Sequence, residues 1–485
     1  MQKYQELLAL NNEPALKPGA HVHLMGICGT GMAALAGLLT ESGYRVTGSD
    51  QAVYPPMSHL LAELGIDIIE GYKASNLDAN PDLVIVGNVI RRINPEAAAL
   101  EKSGIPFCSM PAAIRSYFGR DKIRIVVAGT HGKTTVSSMI SWILFRTGLD
   151  PGFIIGGIPN NFHKSYRLGK GQFFVVEGDE YDTAYFDKKP KFLHYDPDIA
   201  VITSCEFDHA DIYSNLRQIQ DQFEAFLSMV PPTGRIVAYG DDPRIQQMFA
   251  SASVAVHTYG LNSGAEWTLG PTEDCSEGLN ASFVKNGNEV ASGILPVMGL
   301  HNLLNATAAI AVAESVGVNP RQAVTALRSF EGVKRRQEIL GHESGITIVD
   351  DFAHHPSAVK VTCDGVRKHF PGRRLVAVFE PRTNTSRKAI FQTSYVSSLV
   401  GVDLAILREP RGVDELPESD RFSSRRLAQD LMNAGTKSFA FDDTEDILNY
   451  LLHELRTGDV VLIMSNGSFD GIGLRLLRAL KERGQ

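Results

Sequence analysis

Residues 127–135 read Val-Ala-Gly-Thr-His-Gly-Lys-Thr-Thr and have the residue types to hold a nucleoside triphosphate. A buried strand, Ile123–Ala128, enters a glycine turn, and Gly132-Lys133-Thr134-Thr135 opens a helix. Backbone N–H groups in such a turn cradle phosphate oxygens, and a helix N-terminus adds positive potential. Lys133 is the residue to reach the β- and γ-phosphates, and the Thr134 hydroxyl can ligate Mg²⁺. Gly129, Thr130, His131 and Thr135 complete the cradle. The commoner loop, GxxxxGK[ST], would need glycine at position 127, where this chain has Val127. An ordinary strand–helix turn that contains Gly-Lys-Thr is the plain alternative.

Two acidic clusters could serve a metal. Phe174–Asp182 (FVVEGDEYD) ends an apolar strand in carboxylates, with Glu177 nearest the strand. Strand C-termini beside a phosphate loop are where Mg²⁺ ligands belong, and Mg²⁺ needs only one or two carboxylates. A solvated acidic turn is the alternative. A second strand, Ile199–Ser204, is followed by Cys-Glu-Phe-Asp-His-Ala-Asp, where Asp208 and His209 could serve a second metal or orient the γ-phosphate, a helix cap being the plain alternative.

A third feature is Gly26-Ile27-Cys28-Gly29-Thr30-Gly31-Met32-Ala33-Ala34. Gly29, Gly31 and Ala34 fit GxGxx[GA], and Asp50 follows the next strand. Taken literally this is a dinucleotide fingerprint, so an NAD-dependent oxidoreductase is a rival reading. The turn specifies only a diphosphate. A nucleotide-linked sugar carries the same group, and NAD chemistry would leave the loop at 129–135 without a task.

Short apolar strands alternating with helical segments must position these residues. His21–Ile27, Tyr44–Gly48 and Asp82–Gly87 read as strands, and Met32–Thr40 reads as a helix. This βαβ rhythm implies a parallel sheet covered by helices. A new unit starts at Lys122, where Val136, Met139, Ile140, Ile143 and Leu144 make one apolar helix face. Gln172–Glu177 is a further strand of that unit. Residues 262–290 are turn-rich, with Asn286-Gly287 as a hairpin signal, and read as a small antiparallel insert. After the helix-rich stretch Asn302–Phe330, strands recur at Ile346–Val349, Leu375–Phe379, Leu404–Leu407 and Val460–Met464. The expected fold class is therefore α/β in three domains: 1–121, 122–331 and 332–485.

The bulk numbers agree with a globular chain. Its 485 residues suit about three domains. A net charge of -8 gives no basic field for nucleic acid or an anionic membrane. The uncharged stretch Leu24–Thr40 holds Gly26, Gly29, Gly31 and Gly37, whereas a membrane span wants about 20 mostly apolar residues. The start, MQKYQELLALNNEP, lacks a basic region followed by an apolar one, so no secretory signal is expected. Five scattered cysteines (Cys28, Cys108, Cys205, Cys275, Cys363) form no CxxC pair and suit free thiols in a cytoplasmic protein.

Three features taken together resemble one family. They are the glycine turn in the first domain, GTHGKTT in the second, and Asp350-Asp351-Phe352-Ala353-His354-His355-Pro356 in the third. The chain resembles the Mur ligases of bacterial cell-wall synthesis, in the branch that uses UDP-N-acetylmuramate. Gly299–Ala306 (GLHNLLNA) and Lys334-Arg335-Arg336 extend the likeness, which covers nearly the whole chain. Within the branch, Tyr54–Ser58, Glu180–Lys189, Glu206–Tyr213, Glu380–Thr385 and Met464–Phe469 resemble the recycling member. That member attaches the tripeptide L-Ala-γ-D-Glu-meso-diaminopimelate; the L-alanine-adding enzyme is the alternative.

The resemblance implies a Rossmann-like first domain for UDP-N-acetylmuramate, a central P-loop ATPase domain, and a Rossmann-like third domain for the peptide. It implies ATP and Mg²⁺ as cofactors, and neither a nucleic acid nor a membrane as a partner. By position, Lys133 becomes the phosphate-binding catalytic lysine, Thr134 and Glu177 Mg²⁺ ligands, and His209 a ligand of a second metal. His301, Asn302, Asn305 and Arg336 would lie near the nucleotide. Gly29, Thr30, Gly31, Met32, Ser49, Asp50 and Asn88 would hold the UDP-sugar. Asp351, His354 and His355 would face the cleft between the second and third domains, with Asp351 and His354 in catalytic positions. Arg382 would bind a substrate carboxylate, since a guanidinium can grip one with two hydrogen bonds. Some members of the family carry a carbamylated lysine, and no lysine here matches that role. The implied chemistry makes an acyl phosphate, which an amine then attacks, and closure of the third domain would exclude water.

Overall fold

The computed structural model describes residues 13–53, 57–250 and 252–483. The leader Met1–Asn12 and the motif residues Tyr54, Pro55 and Pro56 lie outside them. The chain forms two compact units. The first holds the described residues up to Cys205 together with Arg217–Trp267 and Ala308–Ala326. The second holds Glu206–Leu216, Thr268–Thr307 and the chain from Leu327 onward.

The first unit opens on a five-stranded parallel sheet. Its strands are β1 (His21–Met25), β2 (Arg45–Asp50), β3 (Ile68–Glu70), β4 (Leu83–Val86) and β5 (Phe107–Ser109), in the order β3-β2-β1-β4-β5. Every residue of β1 and β4 is buried, as expected of strands covered on both faces. The strand order reverses at β1, and ligands of such sheets sit beyond the strand ends at that switch point. Helix α1 (Thr30–Glu41) starts there, and helix α2 (Pro95–Ser103) is capped by Asn94, whose side chain accepts from Glu96 N and Ala97 N.

A second, mostly parallel sheet follows in the same unit. β6 (Ile123–Ala128) feeds helix α3 (Lys133–Arg146). β7 (Gly152–Ile154), β8 (Tyr166–Arg167) and β9 (Phe173–Glu177) lie on one side of β6. β10 (Asp182–Ala184) and β11 (Asp187–Pro190) form a separate hairpin. β12 (Ile199–Ile202), β13 (Arg235–Tyr239) and β14 (Ala255–Gly260) extend the sheet on the other side, giving the order β14-β13-β12-β6-β9-β7-β8. The apolar face of α3 read from the sequence is real: Val136, Met139, Ile140, Ile143 and Leu144 are all fully buried.

The second unit begins with three strands, β15 (Trp267–Cys275, of which Thr268 onward belongs to this unit), β16 (Gly278–Lys285) and β17 (Asn288–Leu295). β16 and β17 are antiparallel. Their turn has Asn286 and Gly287 both at positive φ, 50° and 79°, the conformation a two-residue hairpin demands. Helix α4 (Leu300–Ser315) follows, and its residues from Ala308 onward count with the first unit. The last sheet has the order β18-β19-β23-β20-β21-β22: β18 (Glu338–Glu343), β19 (Ile346–Asp351), β20 (Leu375–Phe379), β21 (Leu404–Arg408), β22 (Lys437–Phe441) and β23 (Val460–Met464). Only β18 pairs antiparallel. Alternate residues supply its two faces: Ala377, Phe379, Leu462 and Met464 pack in one core, Val376, Val378, Val461 and Ile463 in the other. Helix α5 (Pro356–His369) covers the first of these cores. Among the described residues no helix is long and apolar enough to cross a membrane.

Candidate functional site

The glycine turn after β1 is held by its neighbour β2. Gly26 N and Ile27 N donate to Ser49 O at 2.8 and 3.2 Å, and Cys28 N donates to the Asp50 carboxylate at 2.8 Å. Gly29 N closes the turn on Gly26 O. The first intrahelical bond of α1 runs from Ala33 N to Gly29 O, so the amides of Thr30, Gly31 and Met32 are those a helix leaves open at its N-terminus. Gly29 caps the helix with no side-chain hydrogen bond. This geometry suits a diphosphate.

The neighbouring residues have other tasks. Asp50 accepts from Cys28 N, Ala52 N and Tyr72 Oη, so the acid a dinucleotide would need for its ribose is fastening the turn instead. The Ser49 hydroxyl points inward to Glu96 at 3.0 Å. Glu96 is fully buried and also accepts from Asn76 Nδ2 at 2.7 Å and pairs with His23 Nε2 at 2.8 Å. Asn88 lies half-buried in the turn after β4.

The phosphate loop is built from β6, β12 and α3. Gly129 has φ 131°, and a Cβ there would come within 2.3 Å of Thr203 Oγ1. Gly132 sits at φ 83° as the cap of α3. Thr130 N donates to Ser204 O at 3.3 Å, His131 N to Ser204 Oγ at 2.7 Å, and the Thr203 hydroxyl to His131 O. The end of β12 thus braces the loop. Lys133 Nζ donates to Gly129 O at 2.6 Å and to Glu180 Oε2 at 2.7 Å. Burial works against its charge, but Glu180, then Asp179 and Glu177, outweigh it and hold the ammonium above its ordinary range. Thr134 Oγ1 donates to Glu177 Oε1 at 2.8 Å, and Glu177 Oε2 accepts from Gly156 N at 2.6 Å. One hydroxyl and one carboxylate, both hard oxygen donors, therefore meet beside the lysine. That donor set fits Mg²⁺.

In the second unit, β19 ends at Asp351. Its buried carboxylate accepts from Gln337 N and Ala353 N, both at 2.7 Å, and burial, opposed chiefly by Arg336, raises its pKa. Asp350, paired with Arg335, is pushed up to about 6 by burial. His355 caps α5, and its ring lies 3.3 Å from Glu206 and 3.2 Å from Phe207 O. His354 faces the buried Asp208 across 3.7 Å. Burial of Asp208 would raise its pKa, but the His354 hydrogen bond and the nearby His209 and His355 pull it well below the carboxylate range. His209 adopts a left-handed backbone, φ 55°.

Asn305 Nδ2 donates to Asn302 Oδ1 at 3.0 Å, and Asn302 Nδ2 donates to Gln337 Oε1 at 2.8 Å and Met298 O at 3.0 Å. His301 stands beside them, its pKa lowered to about 4 by burial. Arg336 lies over the Phe352 ring at 4.6 Å. Arg382 is exposed and lies against Gly467, where a Cβ would come within 2.2 Å of its Nη1.

The structure thus brings together Lys133, Thr134 and Glu177 in the first unit, and Asp208, His354 and His355 in the second. Residues the sequence reading passed over are Glu180, Gly156, Thr203, Ser204 and Glu96. Glu180 stood in the same acidic burst as Glu177, but nothing in the run Glu-Gly-Asp-Glu marks which carboxylate turns inward.

Three family models match consecutive parts of the chain: "Mur ligase family, catalytic domain" over residues 21–120, "Mur ligase middle domain" over 127–313, and "Mur ligase, glutamate ligase domain" over 335–467. The chain is 40% identical over 465 residues to the UDP-N-acetylmuramate–L-alanyl-γ-D-glutamyl-meso-2,6-diaminoheptandioate ligase of Escherichia coli K12, covering 96% of this chain and 99% of that one. It is 35% identical over 468 residues to a UDP-N-acetylmuramate–L-alanine ligase of Desulforamulus reducens, covering 95% and 98%. Among solved structures it resembles a murein peptide ligase from Psychrobacter arcticus, with a TM-score of 0.72 and 35% identity over 96% of this chain and 99% of that one.

Proposed function

The chain belongs to the Mur ligase family, and from that premise we propose that it joins the tripeptide L-Ala-γ-D-Glu-meso-diaminopimelate to UDP-N-acetylmuramate at the expense of ATP. The observation that carries this reading is the end-to-end identity of 40% with a ligase named for that reaction, against 35% with the alanine-adding enzyme. ATP and a nucleotide-linked sugar are cytoplasmic pools, so the activity belongs in the cytoplasm.

The lactyl carboxylate of the muramyl group is a poor acylating agent because its oxygen leaves badly. Attack of that carboxylate on the γ-phosphorus releases ADP and gives an acyl phosphate. The tripeptide amine then adds to the carbonyl, and phosphate departs as the amide forms. No protein nucleophile is required. Catalysis is mainly positioning and neutralisation of charge.

Lys133 is the cation for the β- and γ-phosphates, and the amides at the start of α3, after the cap Gly132, cradle them. Thr134 and Glu177 would hold Mg²⁺, with His209 assigned to a second ion. The metal supplies charge neutralisation on the phosphates. The open amides of Thr30, Gly31 and Met32 receive the UDP diphosphate, on a turn fixed by Ser49 and Asp50, with Asn88 at its rim. His301, Asn302, Asn305 and Arg336 are assigned to the nucleotide. His301 stays neutral at working pH, which suits contact with a base. Arg382 is assigned to a peptide carboxylate, and Asp351 and His354, both in the second unit, are assigned catalytic positions.

Incubation of the protein with ATP, Mg²⁺, UDP-N-acetylmuramate and the tripeptide must yield one UDP-muramyl-tripeptide, identified by mass, for each ADP released. ADP without the amide, or neither product, would sink the proposal.

A further inference from the structure

The hairpin β10–β11 leaves the acidic turn that carries Glu177 and Glu180 and returns to it. Thr183 Oγ1 donates to Lys189 O at 2.8 Å, Lys191 N donates to Tyr181 O at 3.1 Å, and Lys191 Nζ pairs with Asp179 at 2.7 Å. Its base is therefore pinned to the turn beside Lys133. Its tip is Tyr185-Phe186, and this tip is packed into the core of the other sheet. Tyr185, 9% exposed, belongs to the cluster formed by Met25, Val84, Val86, Ile90 and Leu100. Phe186 sets its ring against Phe107 of β5, edge to face at 5.3 Å, and against Tyr185 at 5.1 Å.

Two members of that cluster bear on the glycine turn. Met25 is the last residue of β1, directly before Gly26, and a Cβ on Gly26 would meet Val89 at 3.2 Å and Ile90 at 3.7 Å. A continuous packed path thus runs from the carboxylates at the phosphate loop, through the hairpin, to the turn assigned to the UDP diphosphate. Burial of the two rings against the first sheet ties the hairpin, and with it the acidic turn, to that sheet.

We infer that Tyr185 and Phe186 are positioning residues: they fix the UDP-sugar's turn relative to the phosphate loop, so that the carboxylate meets the γ-phosphate in line. The inference rests on the ligase reading above. Reacting atoms must be held about 3–3.5 Å apart, and a misplacement of about 1 Å can cost about 100-fold in rate.

The first half-reaction isolates the effect. With UDP-N-acetylmuramate present and no peptide, exchange of label between ADP and ATP reports reversible formation of the acyl phosphate. Phe186→Ala is expected to slow this exchange at least tenfold, leave the KM for ATP within twofold, and raise the KM for the UDP-sugar. Phe186→Leu, which keeps an apolar side chain, should recover most of the rate. Unchanged exchange in Phe186→Ala would overturn the inference, as would a parallel loss of ATP binding, which would make the tip a mere part of the core. Should Phe186→Ala not fold, Phe107→Ala removes the opposite ring and must give the same split between the two substrates. Failure of the unaltered protein to exchange label would count against the ligase reading itself, before any variant is compared.

Discussion

Lys133 and Glu180 are the two charges whose environments depend most on each other. Both are largely buried and they meet at 2.7 Å. Removing one partner of such a pair leaves an uncompensated charge and costs about 3–5 kcal/mol. Lys133→Met should therefore lose stability as well as ADP release. Adding Glu180→Gln should restore most of the stability, read by urea unfolding, and none of the activity. Thr134→Ala removes a hydroxyl that holds Glu177 in place. Loss of one group at a metal site costs roughly 10–100-fold in affinity, so the Mg²⁺ concentration for half-maximal activity should rise by that order while the fold is kept. His301 gives a pH prediction. Its pKa is about 4 in the fold against 6.5 free, so its neutral form is the one the fold favours. The resulting stability is full above pH 6.5 and falls away as the pH drops toward 4, by at most about 3 kcal/mol. An NMR titration showing the His301 ring protonating near its free value would contradict this. At this scale the meeting of Lys133, Thr134 and Glu177 was legible: Gly-Lys-Thr sets the first two at a helix start, and Glu177 ends an apolar strand of the same sheet. Glu180 was not, because its role depends on which way a turn folds, and no periodicity runs through a turn.

At the scale of elements, legibility followed burial. The strands at Ile123–Ala128, Leu375–Phe379 and Val460–Met464 were read with their observed limits, since each is apolar (but for Arg124) and lies in the middle of a sheet. The edge strands β18 and β22 were missed. Their sequences, Glu338–Glu343 and Lys437–Phe441, are half polar because one edge of each has no partner strand to cover it. The short β10–β11 hairpin was not read as strands, and Glu180–Lys189 entered only through the family resemblance, because the rings at its tip are two residues and carry no strand period. Two glycines make contrasting predictions. Gly287 has φ +79° with open space around it, so Gly287→Ala should cost about 1–2 kcal/mol through the backbone alone and leave activity intact. Gly37 lies in α1 where a Cβ would come within 2.1 Å of the Tyr166 ring. Gly37→Ala should cost about 1–3 kcal/mol by overpacking, and because α1 also presents the diphosphate amides, the KM for the UDP-sugar should rise with it. Thermal unfolding beside steady-state kinetics separates the two cases.

For the whole molecule, the proposed reaction brings two nucleotides, and two glycine turns are assigned to their phosphates, one after β1 and one after β6. The dinucleotide fingerprint in the first turn was a fair reading of residues 29–34, and its rival chemistry loses ground because Asp50 is fastened to Cys28 N and because a complete second loop stands at 129–135. The sequence carried the family because three separate motifs had to agree along nearly the whole chain, whereas the choice of amine rests on a narrower difference between relatives. Rates of ADP release with ATP, Mg²⁺ and UDP-N-acetylmuramate should be measured side by side with the tripeptide and with L-alanine as the amine. The kcat/KM for the tripeptide should exceed that for L-alanine by about 100-fold or more. Turnover with L-alanine and none with the tripeptide would contradict it and make the chain an alanine-adding ligase on the same fold.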